Sequence, residues 1–157
     1  MAITIEVENL QRRIPINPRQ IIKAVKRFLR HEGISRAKVS IVFVADPKIR
    51  SLNKKYLKHD HPTDVLSFDY GVSSPPAILF NRRAGPPSKN SEILGEIIIS
   101  TDTVKRNAAF YRTREGYELM LYVLHGILHL LGFDDRSPSA KRKMRRKEGE
   151  LLKFLRI

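Results

Sequence analysis

Two histidines and an aspartate within one short segment carry the clearest chemical signal in the chain. In HGILHLLGFDD, His125 and His129 are four residues apart. On an α-helix that spacing puts both imidazoles on one face, a turn apart. A single metal ion binding two nitrogens at roughly 2.0–2.1 Å needs this spacing. Gly132 follows where a helix can end in a left-handed turn, and the chain can then return to offer Asp135 as a third ligand. The sequence has no cysteine, which excludes disulfides, thiolate metal sites and cysteine nucleophiles. Any metal must therefore take nitrogen and oxygen ligands. The plain alternative is a pair of hydrogen-bonded histidines on an apolar helix. The glycine and the acids at the expected reach favour ligation. Asp134 and Asp135 also have a structural alternative, as caps for a helix starting near Ser137.

Histidines at zero and plus four, glycine at plus seven and a ligand at plus ten match the spacing of the metzincin proteases. Those enzymes carry a general-base glutamate directly after the first histidine. Here that residue is Gly126, so a peptidase lacks its base. Asp64, in PTDVLSF, is a weaker candidate for orienting water or a ligand histidine. Its plainer role is in a turn before Val65. Ser67 reads as a strand residue bonded to backbone, not as a nucleophile. His59 and His61 flank Asp60 without the spacing of a second metal site.

The charge balance points to a polyanionic partner. Lys and Arg number 30 against 16 acids, a net charge of +14. RNA, DNA or an anionic membrane would fit, nucleic acid best. The tail RSPSAKRKMRRKEGELLKFLRI is dense in cations, while Met144, Leu151, Leu152 and Leu155 can pack. A solvated helix face is the plain reading; a phosphate track beside the metal is the functional one. Lys54, Lys55, Lys58, Arg136, Lys141, Arg142 and Arg145 are the candidate RNA contacts. The start, MAITIEVEN, lacks the basic-then-apolar pattern of a signal peptide. No apolar run approaches the ~20 residues that span a bilayer. A cytoplasmic protein with no membrane role is expected.

The elements that must position these residues follow from periodicity. Ala2–Glu8 and Lys38–Ala45 alternate as strands. Asn17-Pro18 caps a helix that Gly33 closes. Asp46-Pro47 opens a short helix to about Tyr56. Val65–Tyr70 and Ile93–Ser100 are further strands. Thr101 begins a helix to about Tyr111, with a break near Gly116. A long apolar helix runs from about Tyr117 to Leu131, and Ser137-Pro138 starts the last. Residues 71–91, with paired prolines and two glycines, read as a flexible insertion. The expected fold is α+β: one domain over 1–157, a mixed sheet of about four strands covered by helices, and the metal-binding helix near the C-terminus.

The segment HGILHLLGFDD resembles the signature H-G-x-L-H-L-x-G-[YF]-D-H of the YbeY family of endoribonucleases, the rRNA maturation factors. Leu52–Phe68, LNKKYLKHDHPTDVLSF, is similar to the family's L-N-x-x-Y-R-x-x-D-x-x-T-[DN]-V-L-S-F. LGEIIIS, Leu94–Ser100, is similar to L-G-D-I-x-I-S. The blocks occur in family order over nearly the whole chain. The resemblance implies a single-strand-specific, zinc-dependent endoribonuclease used in ribosomal RNA processing and ribosome quality control, with the small ribosomal subunit as partner. It also implies that His125 and His129 are the first two zinc ligands. Two departures stand out. Asp135 replaces the family's third histidine; it is a competent ligand that lowers the charge of the site by one and shifts metal preference toward harder ions. Leu57 replaces an arginine suited to phosphate, with Lys54, Lys55 or Lys58 as substitutes. These departures sustain a second expectation, a non-catalytic RNA- or ribosome-binding assembly factor with a structural metal.

Overall fold

The computed structural model describes residues 2–57, 65–70, 77–78 and 92–157. Among these residues five strands form one sheet: β1 (Ile3–Asn9), β2 (Ala37–Val44), β3 (Val65–Asp69), β4 (Ala77–Ile78) and β5 (Ile93–Ser100). Their spatial order is β1-β2-β5-β3-β4. The first three in that order are parallel, whereas β3 runs antiparallel to both β5 and β4. The expected mixed sheet is present. Its extra member, β4, is a two-residue strand inside the segment read as an insertion; the rest of 71–91 lies outside the described residues, as do Lys58, His59, His61 and Asp64.

The helices are α1 (Pro18–His31), α2 (Asp46–Leu57), α3 (Thr101–Tyr111), α4 (Glu115–Leu130) and α5 (Pro138–Phe154). Three begin on capping side chains. Asn17 Oδ1 accepts the Gln20 N–H, Ser100 Oγ accepts that of Thr103, and Ser137 Oγ accepts that of Ala140. Each satisfies one of the amide donors a helix leaves unpaired at its start. The break after α3 falls earlier than the sequence suggests. Arg112, at φ 56°, ends α3 in the left-handed region, and Gly116 lies within the first turn of α4. A glycine was available nearby, yet an arginine takes the conformation that usually favours one.

The central strands are buried on both sides. Val39, Ile41, Phe43, Ile93, Ile97 and Ile99 face the larger core with α1, α4 and α5. Val42, Val44, Leu66, Phe68 and Ile98 face a smaller core with Ile49 of α2. Period-two alternation thus sends two sets of apolar side chains to opposite faces. At the ends of β2 and β5 a polar knot joins α2 to α3. Ser100 Oγ donates to Asp46 Oδ1 at 2.5 Å, and Arg106 donates to Asp46 Oδ2 at 2.6 Å. The Asp46 N–H in turn donates to Asp102 Oδ2 at 2.8 Å. Burial alone would raise the Asp46 pKa, but these bonds, Arg106 foremost, outweigh it and hold the carboxyl below its ordinary value.

Candidate metal centre

Helix α4 lies close against β3 and β5, and two glycines permit it. A Cβ at Gly126 would sit 2.6 Å from Ile97 Cγ2 and 3.1 Å from Val65 Cγ1. A Cβ at Gly95 of β5 would meet Leu130 Cδ2 at 2.5 Å. Position 126 therefore faces the sheet, a third of a turn from His125. This explains why the general base of a peptidase is absent: no side chain fits there. Ser67 of β3 reaches across the same contact, donating from Oγ to the Gly126 carbonyl at 3.2 Å. Its part is to tie strand to helix, as the sequence suggests.

The end of α4 delivers the third group. Gly132 takes φ 99°. Its N–H bonds the His129 carbonyl at 3.1 Å, and the Phe133 N–H bonds the Leu128 carbonyl at 3.0 Å. This is the paired-bond arrangement of a Schellman turn. The chain reverses and brings Asp135 back over the last turn. Asp134 instead accepts the Arg136 N–H at 3.2 Å, and Ser137 caps α5, so the two acids divide their work.

His125, His129 and Asp135 each offer one ligand atom, all within 4.8 Å of one another, and can hold a metal ion. The two Nε2 atoms are 3.1 Å apart, and Asp135 Oδ2 lies 3.5 Å from His125 Nε2 and 3.9 Å from His129 Nε2. Around a tetrahedral ion with bonds of 2.0–2.1 Å, ligand atoms stand about 3.3–3.4 Å apart. The donor set therefore fits such an ion.

Proton placement supports the same fit. His125 Nδ1 meets Glu148 Oε1 of α5 at 2.6 Å. That bond keeps the ring proton on Nδ1 and turns the Nε2 lone pair toward the site. A backbone hydrogen bond with Phe133 engages the His129 ring. Burial, and then the neighbouring His125, hold the His129 pKa below its ordinary value. It is thus kept neutral, the form that binds metal. Two imidazole nitrogens and a carboxylate oxygen thus face one another, and a cation is a group that all three can bind.

Glu148 is the residue that sequence reading missed. Its signal was a carboxylate at a position of α5 shared with Met144, Leu151 and Leu152, the buried side of that helix. Of the candidate RNA contacts, Lys141 and Arg145 line a cavity of about 420 Å³ together with His125, Asp135 and Glu148. Arg136 is exposed beside Asp135 and pairs with Asp134 at 3.9 Å. Arg142 is exposed on α5 and does not line the cavity. Lys54 and Lys55 are exposed in the last turn of α2, which packs on the sheet face opposite α4.

Fold and site together define an α+β protein with a group that could hold a metal ion on one helix and the turn after it. The family model for Endoribonuclease YbeY matches residues 6–156. A protein from Syntrophus aciditrophicus named Endoribonuclease YbeY is 32% identical, over 99% of this chain and 91% of its own. One of the same name from Parabacteroides distasonis is 31% identical, over 99% and 96%. The solution structure of TM1509 from Thermotoga maritima shares the fold, with a TM-score of 0.58 at 22% identity over 98% of this chain and 92% of that one. The chain belongs to the endoribonuclease YbeY family, a family of nucleases.

Proposed function

We propose that the protein is a single-strand-specific, zinc-dependent endoribonuclease of the cytoplasm that acts in ribosomal RNA processing and ribosome quality control, with the small ribosomal subunit as partner. The observation that carries the reading is the convergence of His125, His129 and Asp135 beside a cationic face of α5. A divalent ion held there, with a coordination position left open, would polarise a phosphoryl group or activate water. The rest falls to the protein. Glu148 holds the proton on His125 Nδ1 and aims the ring. Lys141 and Arg145, one turn apart on α5, seat the RNA backbone, with Arg136 at the rim. Asp64, which sequence reading nominates to orient water or a ligand histidine, completes the assignment. Contacts of this kind grip phosphate and leave base sequence largely unread.

No α-helix among the described residues is long and apolar enough to cross a membrane, in keeping with the high net charge of +14 directed at RNA. The test is cleavage of single- and double-stranded RNA by the purified protein, with and without chelator, beside His125→Ala. Single-strand cleavage lost on chelation and in the variant supports the enzyme. Leu57, in the place of the family's arginine, favours one second reading, an assembly factor whose metal is structural. RNA binding without metal-dependent cleavage would establish that reading instead.

A further inference from the structure

We propose that the cavity beside the His125–His129–Asp135 group takes a nucleobase of single-stranded RNA, stacked on Tyr111, while Lys141 and Arg145 hold the flanking phosphates. The inference rests on the reading that the chain acts on RNA, and it adds a base subsite to it. The cavity's volume of about 420 Å³ falls within the about 300–1,000 Å³ of small-ligand sites.

Its walls differ in character. On the α5 side stand Lys141 and Arg145, both exposed. The inner wall carries Asn107, Tyr122 and Glu118, the last two buried. The Asn107 side-chain amide donates to the Tyr122 hydroxyl, which fixes it in the wall. Glu118 repels a phosphate and suits the amino groups on a base edge. A base thus matches the inner wall, and phosphate matches α5.

Tyr111 supplies the flat surface. It lies one turn beyond Asn107, so both share a face of α3. Its side chain lines the cavity although the residue is 63% exposed. Phe110, 78% exposed, lies beside it with its ring edge-on at 5.0 Å. These are the two most exposed aromatic residues among those described. Neither has a core to pack into, and an aromatic ring left in water beside a cationic cleft is the usual platform for single-stranded nucleic acid. Arg112 stops α3 directly after Tyr111, which places Tyr111 at the last position of the helix. Only Tyr111 of the pair lines the cavity, so Phe110 is the internal control.

The test is fluorescence anisotropy of the full-length, metal-loaded protein with a short 2′-O-methylated single strand, checked on a gel for integrity. A strand of equal length with one abasic position serves as comparison. Tyr111→Ala should weaken binding of the intact strand roughly 5- to 150-fold, the range of one lost stacked base. Tyr111→Phe should bind about as the parent does, because the ring is retained. Phe110→Ala should lose less than Tyr111→Ala. The Tyr111→Ala loss should shrink on the abasic strand, and the slope of affinity against salt should stay unchanged. Circular dichroism confirms that the variants fold. Binding by Tyr111→Ala equal to the parent's, or an equal loss on the abasic strand, overturns the stacking proposal alone. A parent protein that fails to bind single strands overturns it together with the RNA reading.

Discussion

At the residue scale the site is a matter of where protons sit. A histidine that is to bind a metal must present a lone pair, and Glu148, 2.6 Å from His125 Nδ1, would make His125 do so by holding the proton on that nitrogen. Glu148→Ala is expected to keep the fold and to lower metal affinity about 10- to 100-fold, as loss of such partners does. Competition with a chromogenic chelator measures it; affinity equal to the parent's would remove Glu148 from the site. His129 adds a dependence on acid. Its folded-state pKa lies below the ordinary 6.5, through burial first and His125 second. The unfolded chain therefore takes up that proton more readily than the folded one. The stability that comes from a neutral His129 is complete above about pH 6.5 and is lost as pH falls from there toward the folded-state value. Thermal melts of the metal-free protein should show a lower midpoint in acid, and His129→Asn should flatten that dependence. A parent and variant that fall in parallel would contradict it. His125 and His129 were legible because four residues on a helix is a fixed geometry. Glu148, nineteen residues or more from either histidine, was not, because its contact depends on how α5 packs on α4.

At the scale of elements, the site depends on how closely α4 lies on the sheet. Gly126 and Gly95 set that approach. A methyl group at 126 would push against Ile97 and Val65, both at the helix–sheet contact. Gly126→Ala should therefore destabilise the fold by about 1–3 kcal/mol, the cost of overpacking a filled interior. The gain in helix propensity, at most about 1 kcal/mol, offsets only part of it. Denaturant unfolding measures the change, and Gly126→Ala should cost less in an Ile97→Ala background, where the crowding Cγ2 is gone. A Gly126→Ala protein as stable as its parent would mean that α4 is free to shift. Most element positions were legible because caps and apolar period mark them: Asn17-Pro18, Ser137-Pro138 and the alternation in β2 and β5. The end of α3 at Tyr111 was legible, but the break after it was placed too late, near Gly116, for a physical reason. Glycine is the cheapest left-handed residue, so Gly116 drew the break, yet the Arg112 N–H bond to the Ala108 carbonyl closes the helix without it.

At the scale of the molecule, what matters is where the charge sits. The net charge of +14 announced a polyanionic partner. It could not say which cations meet it, because that depends on strand order. Placement of β5 between β2 and β3 puts α4 and α5 on one face of the sheet and α2 on the other. Among the described residues, cations that read as equal candidates in the sequence thereby become unequal. Lys141 and Arg145 share the cavity with His125, while Arg142 points elsewhere on the same helix. Each cation that neutralises a phosphate of a single strand releases counterions, and contributes about 0.7 to the slope of log affinity against log salt. Lys141→Ala and Arg145→Ala should each lower that slope by about 0.7 and weaken binding alike across sequences. Arg142→Ala, one residue away and with the same loss of net charge, should leave the slope near the parent's. Anisotropy titrations across a salt series measure all three. If Arg142→Ala changes the slope as much as its neighbours do, the molecule holds RNA through a diffuse field, and the α5 face beside the metal group has no special claim on the strand.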